Sequence, residues 1–526
     1  IQLMEGVEDI PGTALHEGVD WNWETFPEFL DAIEKKDFVM DLGFMIGHGP
    51  LRSYVMGYER CQSQVDASKE EISKMSDIVT EAIESGALGF STSRTILHRD
   101  VHGVYVPGTE ASSEEMKSLA FAIDKAGEGT LEIVSDWLDK EIEMSWMREY
   151  VEKSDCGLTV LQTSGDAVKT ILFCEEQFLK GKNVRPQFPG RNVGMMFGLE
   201  SSLHPFIGHP SYREIADLPL SERVKIMKDP AFKEKLLNEK PNFASEIEKS
   251  MNEQGNTKSQ EEIKEAANLG LKLISNYDTQ FILGDPPNYE PGKEDSIAAL
   301  AKSKGIAELE VIYDEFLKNE GTNLVYACFT PYDNHKLDFV ERAYSLKSSV
   351  AGGSDGGAHC GLICDASMPT TNLSHWARDR EAGKKIPIEL IVRKQTKDTA
   401  ETYGLFDRGE IKTGMLADLN IIDFEKLNVT HPKMVYDLPL GGRRLIQTSS
   451  GYLATVKSGE VVYEAGEATG VLPGKLIRGK QTCEVKTEKE RVPFIDRTLR
   501  LMSVKAFKLL WNFRKSSVKT TVVSDD

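Results

Sequence analysis

Short apolar runs alternate with longer segments of helical period along much of this chain. The runs at residues 39–46, 87–91, 130–134, 158–161, 184–188, 323–329 and 349–352 are bounded by polar residues or glycine, as buried strands are. Between several of them lie stretches with a 3.6-residue repeat. Residues 71–85 form one; residues 113–126 form another, with Met116, Leu119, Ala120 and Ile123 on a single face. Strand–helix–strand repetition predicts an α/β fold built on a parallel sheet or barrel. Chemistry in such folds collects at the C-terminal strand ends. Polar residues follow the predicted strands at those places: His48, Ser93 with Arg94, Asp136, Gln162, Gln187 with Arg191, Asn334 and Asp355.

The texture changes twice. From about residue 229 to 319 the chain turns charged, helical and loop-rich, with Pro286, Pro287 and Pro291, which predicts an insertion packed on the barrel. After Tyr403, residues 408–427 and 452–470 alternate apolar and polar positions across glycine turns, the pattern of antiparallel strands. The expected organisation is a barrel over 1–402, a small β-sandwich domain over 403–479 and a basic tail over 480–526. In the tail Ile495, Leu499, Met502, Ala506, Leu509 and Phe513 share one helical face beside Arg500, Lys505, Lys508, Arg514 and Lys515. A basic amphipathic helix can touch an anionic membrane surface or dock a partner; packing on its own acidic body, or no fixed structure, is the plainer reading.

Composition narrows the class. With 526 residues, 40% hydrophobic and 28% charged, the chain has the make-up of a water-soluble globular protein of two or three units. No run approaches the roughly 18 apolar residues that cross a bilayer, so no transmembrane segment is expected. The formal charge of −20 is uneven: residues 475–526 carry +7 and the rest is strongly acidic, which does not suit nucleic acid. Seven cysteines without regular spacing argue for a reducing compartment, hence a cytoplasmic location. The chain opens on Ile1 with no signal-like segment, which suggests a start inside a longer polypeptide.

The densest chemistry lies in GGSDGGAHCG, residues 352–361. Glycine at this density costs backbone entropy and lets the chain turn sharply beside a ligand. Asp355 sits among these glycines with His359 four positions on and Asp365 ten on. An Asp so placed can bind a metal through oxygen, shuttle a proton to a leaving group, or simply cap a turn.

These residues carry a resemblance. LMEGVEDIPGTALHEGVDWNWETFPEFLDAI (3–33), IGHGPLRSYVMG (46–57), GALGFSTSR (86–94), GGSDGGAHCGLICDASMPT (352–370), HWARDR (375–380) and RGEIKTGMLADLNIID (408–423) are similar to the N-acyl-D-amino-acid deacylases, or D-aminoacylases, of the amidohydrolase superfamily, in a long subgroup. The resemblance implies a (β/α)8 TIM-like barrel, here without its first strands, and a small C-terminal β domain. It implies a zinc cofactor and a small-molecule substrate, an N-acyl-D-amino acid, whose amide is hydrolysed. Asp355 matches the family's strand-end Asp, both proton shuttle and metal ligand. The free carboxylate of such a substrate calls for a guanidinium. Arg94 and Arg191 are the candidates, with His359 and His48 as further substrate contacts. His48 also reads as a hydrogen-bonded core histidine, and His98, His102, His204 and His209 as surface residues.

Two departures stand out. The family's His-x-His pair and a Cys ligand would lie upstream of Ile1, and Gln162 and Gln187 occupy positions where imidazoles are expected. Gln is a poor zinc ligand, so the stretch as it stands is expected to be incompetent for zinc chemistry. The alternatives are an amidohydrolase acting on a cyclic amide and a catalytically silent binding or assembly module.

Overall fold

A computed structural model describes residues 1–482 except 102, 138, 163–167, 243–269 and 331. The basic tail beyond residue 482 and part of the expected insertion therefore lie outside the described residues.

The parallel sheet expected from the apolar runs is present. It contains β1 (Met45–Gly47), β2 (Gly89–Arg94), β3 (Thr130–Ser135), β4 (Gly157–Leu161) and β5 (Val184–Pro189) in sequence order, followed by β9 (Val350–Gly352). Every neighbouring pair is parallel, from Met45 opposite Gly89 to Pro189 opposite Gly352. Burial alternates as the pleat demands. Leu131 and Ile133 of β3 pack outward on helices, leaving Glu132 between them on the inner face. The helices Lys69–Glu84, Ser113–Ala126 and Lys140–Lys153 cover the outer face. Met75, Val79, Met116, Leu119, Trp146 and Tyr150 fill the layer between helices and strands. Ser68 and Ser112 cap the first two helices, each accepting from the backbone N–H three residues on.

Two strand expectations need correction. The run 39–46 contributes only Met45 onward to the sheet; upstream, Phe38 and Leu42 make isolated bridges to Gly474 and Leu476. The run 323–329 forms a strand, but not one of the parallel sheet. It is β8 (Val325–Thr330), flanked antiparallel by β6 (Val193–Phe197) and β7 (Gln280–Ile282). This second sheet, with its own core around Phe197, Phe206, Ile312 and Phe316, fills the chain between β5 and β9. The excursion thus begins near residue 193 instead of 229.

The C-terminal part is antiparallel, as the alternation predicted. β10 (Leu419–Ile422), β15 (Tyr452–Lys457), β16 (Glu460–Glu464) and β17 (Glu467–Ala468) form one sheet. β11 (Asn428–Val429) pairs with β14 (Ser449–Ser450), and β12 (Lys433–Leu438) with β13 (Gly442–Ile446). The β13 strand reaches the glycine-rich loop, where Leu445 N–H donates to Cys360 O at 2.7 Å.

Candidate active site

Asp355 stands where the strand-end rule places it, in the loop leaving β9, and it is exposed. Gly353 has φ +79°, a turn that an L side chain resists. Beyond Asp355 the loop is pinned at two places. Cys360 N–H donates to Glu8 O and Gly361 N–H to Asp9 Oδ2, both at 3.0 Å. A Cβ on Gly361 would collide with Ser202 Oγ, which explains the glycine there. Further on, buried Asp365 receives Arg191 Nη2 at 3.0 Å, and the same nitrogen donates to Cys364 O at 2.8 Å. Asp355 is thus held by β9 on one side and by these anchors on the other.

Other titratable groups gather round it. His359 Nε2 lies 3.7 Å from Glu8 Oε2, and its ring centroid is 6.4 Å from that of His98, which follows β2. His98 Nδ1 is 2.7 Å from Ser93 Oγ. Asp136, which follows β3, accepts Ile96 N–H at 2.7 Å and bears electrostatically on His98. Burial, then the facing His359, pushes the His98 imidazole down to about 4, against the pull of Asp136. Burial raises Glu8, with His359 opposing and Asp355 adding to the rise. Burial also lifts Asp365 to about 6, with Arg191 pulling back and Asp355 adding. His98 thus belongs to the strand-end cluster, not to the outer surface. Its position four residues past β2 was the available signal.

The remaining candidates are placed differently. His48 follows β1 and is 2% exposed. Its Nδ1 lies 2.9 Å from Thr92 Oγ1 and its Nε2 2.8 Å from Glu115 Oε1, so both ring nitrogens are used inside the fold. Burial lowers its pKa, with Glu115 opposing. Substrate contact by His48 gives way to the core-histidine reading. Arg94 ends β2, but its Nε and Nη2 both engage Glu143 Oε1 at 2.8 Å and its Nη1 donates to Gly108 O. Arg191 is fully buried and stacks 3.5 Å above the Tyr289 ring centroid. Arg94 is thus committed inside the fold, whereas Arg191, though buried and paired through Nη2, keeps Nε and Nη1 without a hydrogen-bond partner among the described residues. The sequence could not show this, because Glu143 and Asp365 are brought in by other elements. His204 and His209, read as surface, are 2% and 1% exposed; His102 is outside the described residues. Cys360 and Cys364 are buried free thiols.

A cleft of about 620 Å³ lies at the opposite end of the sheet, bordered by Gly129, Thr130, Gly157, Asn183, Arg185 and Thr402. These residues stand where the strands begin, the end of such folds that serves stability. Asp355 and the groups around it lie at the other end.

Comparison with known proteins agrees with the fold. The profile of the Amidohydrolase family matches residues 1–463. The chain belongs to the amidohydrolase family. An uncharacterized protein of Mycobacterium tuberculosis (strain ATCC 25618 / H37Rv) is 24% identical over 476 residues, covering 85% of this chain and 72% of the relative. The D-aminoacylase of Alcaligenes xylosoxydans xylosoxydans is 24% identical over 417 residues, covering 78% of this chain and 67% of the relative. A solved structure of D-aminoacylase, an enzyme described with a binuclear metal center, superimposes with a TM-score of 0.51 at 18% identity. That match covers 89% of this chain and 78% of the other. This amidohydrolase therefore shares the D-aminoacylase fold. No helix among its described residues is long and apolar enough to cross a membrane.

Metal binding in this amidohydrolase meets an obstacle at the inner face of the sheet. Gln187 of β5 donates through Nε2 to Glu132 Oε1 at 3.0 Å and to Tyr403 Oη at 3.2 Å, while Tyr403 donates to Glu132 Oε2 at 3.0 Å. The ring occupies both oxygens of Glu132 and both hydrogens of Gln187 Nε2; Gln187 Oε1, a poor zinc ligand, stays outside it. Gln162 is 1% exposed, with no partner for its Oε1. Among the described residues no three His, Cys, Asp or Glu side chains converge as a metal-binding group. The donor set present does not by itself fit zinc.

Proposed function

We propose that this amidohydrolase cleaves the amide C–N bond of N-acyl-D-amino acids. The observation that carries the reading is the position of Asp355: a carboxylate at the C-terminal end of β9, on a loop pinned at both ends, beside His359 and within the field of Glu8 and Asp365. In the proposed step Asp355 takes a proton from a water whose oxygen bonds to the acyl carbon. It returns that proton to the amine nitrogen as the C–N bond breaks. The products are a carboxylic acid and a D-amino acid. Zinc is the family's cofactor, but because the described donors do not complete a site, no step is routed through it.

The test is Asp355→Ala in the complete protein, assayed on paired N-acyl-D- and N-acyl-L-amino acids and on a cyclic amide. We expect turnover of the D-substrate to fall by more than about 10³-fold. The unfolding midpoint should barely change, because an exposed substitution alters stability by about 0.5 kcal/mol or less. Undiminished turnover removes the assignment. Preference for the cyclic amide keeps the reaction class and moves the substrate.

The Gln187–Glu132–Tyr403 ring favours a second reading, a silent barrel that serves as a binding or assembly module. Metal analysis separates the two. Stoichiometric zinc in the complete protein supports the enzyme; none, even after zinc is supplied, supports the module.

A further inference from the structure

The chain reaches Asp355 from β9 by way of two glycines, and both lie against β5. The three-residue β9 takes its register from β5, with Val350 opposite Gln187 and Gly352 opposite Pro189. A Cβ on Gly352 would stand 2.9 Å from Gln187 Oε1, and one on Gly353 would stand 3.0 Å from Pro189 Cβ. Gln187 therefore fills the space that a side chain at Gly352 would need, three residues before Asp355. What holds Gln187 there comes from distant parts of the chain. Its Nε2 donates to Glu132 Oε1 of β3 at 3.0 Å and to Tyr403 Oη, just past the helix Lys397–Thr402, at 3.2 Å. Tyr403 closes the ring by donating to Glu132 Oε2 at 3.0 Å. A flipped amide would set its oxygen against the Glu132 carboxylate, acceptor against acceptor, so the network fixes Gln187 Oε1 on the side of Gly352. Burial, then the Glu132 charge, raises the Tyr403 pKa and keeps its hydroxyl a donor.

We propose that Gln187 is a positioning residue for Asp355, its amide locked by Glu132 and Tyr403 against the base of the glycine-rich loop. The proposal rests on the amide-hydrolase reading above, and it gives work to a glutamine that serves zinc poorly. The anchors at Cys360, Gly361 and Asp365 all lie beyond Asp355 and fix the far side of the loop. On the near side the loop grows out of the short β9, and Gln187 is packed against that strand's last residue. Proton transfer needs heavy atoms brought to about 2.6–3.2 Å, a tolerance that a shift of the strand end would exceed. Glu132, Gln187 and Tyr403 thus act on the reaction through Gly352, without touching substrate.

Two measurements on the complete protein test it. The first is a double-mutant cycle read on kcat for an N-acyl-D-amino acid. Gln187→Ala empties the support, and Gly352→Ala drives a methyl into Gln187 Oε1. Each should lower kcat about tenfold with KM changed less than about threefold. The double variant should be no more than about threefold worse than either single, because both remove one contact. Losses that multiply to about 100-fold overturn the proposal. So does a kcat within about threefold of wild type in Gln187→Ala. The second measurement needs no turnover. Hydrogen exchange across residues 350–356 should quicken in Gln187→Ala and, to a smaller extent, in Tyr403→Phe, while exchange in the helix Ser113–Ala126 stays as in wild type. Unchanged exchange at 350–356, or equal quickening in that helix, overturns the assignment whatever the activity. If wild type hydrolyses no N-acyl-D-amino acid, the functional reading has failed, and the exchange result still decides whether Gln187 holds the loop.

Discussion

His48 and Glu115 meet at 2.8 Å with side-chain exposures of 1% and 0%, and Arg52 Nε adds a second donor to the same Glu115 oxygen at 2.9 Å. Burial works against the Glu115 charge, yet His48 and Arg52 hold its pKa below the usual carboxylate range. One carboxylate from the helix Ser113–Ala126 thus ties together the segment after β1. Glu115→Ala leaves a guanidinium and an imidazole buried without their acceptor, and should cost about 3–5 kcal/mol in urea unfolding. Glu115→Gln should cost less, since its carbonyl oxygen still accepts.

Glu290 gives the fold a pH dependence. It is 8% exposed and accepts from His375 Nε2 at 2.8 Å and from Arg380 Nε and Nη2 at 3.0 Å. Burial opposes ionisation, but these donors bring Glu290 down from 4.5 to about 2. A carboxyl depressed in the folded state contributes its stability in full above its unfolded value. That contribution is lost as pH falls from about 4.5 through about 2. The contribution is at most about 3 kcal/mol. Unfolding midpoints at pH 7, 4 and 3 should decline across this window. Glu290→Gln should flatten the decline.

Arg191 and Asp365 bury opposite charges together at 3.0 Å. Arg191→Met strands Asp365 and should destabilise the chain by about 3–5 kcal/mol. Were Arg191 the carboxylate receptor, Arg191→Lys would raise KM for N-acyl amino acids with little change in stability. The buried pairing predicts the reverse, a lower unfolding midpoint with KM held within about threefold.

Gly361 tests whether pinning the loop matters for Asp355. Gly361→Ala pushes a methyl into Ser202 Oγ and Asp9 Oδ2. We expect a loss of about 1–3 kcal/mol. Faster hydrogen exchange across residues 353–361 should accompany it, along with a fall in kcat larger than any rise in KM. Unchanged exchange in that loop would show that the pin at Gly361 does not set its mobility.

Local signals in the sequence were reliable where local forces decide. Residues 113–126 read as a helix, and the structure has Ser113–Ala126, because capping and an apolar stripe act within a few turns. Residues 323–329 read correctly as extended, but their partners are β6 and β7, since pairing is settled by chain segments far away. The same limit governs the site. Asp355 was legible from its glycines and from a strand before it. His98 was passed over as a loop residue, because its approach to His359 depends on parallel strands bringing two loops to one end of the sheet.

The order of apolar runs and helical repeats by itself determined an α/β chain with an antiparallel C-terminal part and a strand-end Asp. Those features follow from backbone periodicity and from glycine's freedom to turn. Only the tertiary structure decided which charges are spent inside the fold. Arg94 meets Glu143, Arg191 meets Asp365 and Gln187 meets Glu132 across elements distant in sequence. Leaving a buried charge or amide unpaired is costly, and sequence spacing does not reveal which partner it finds.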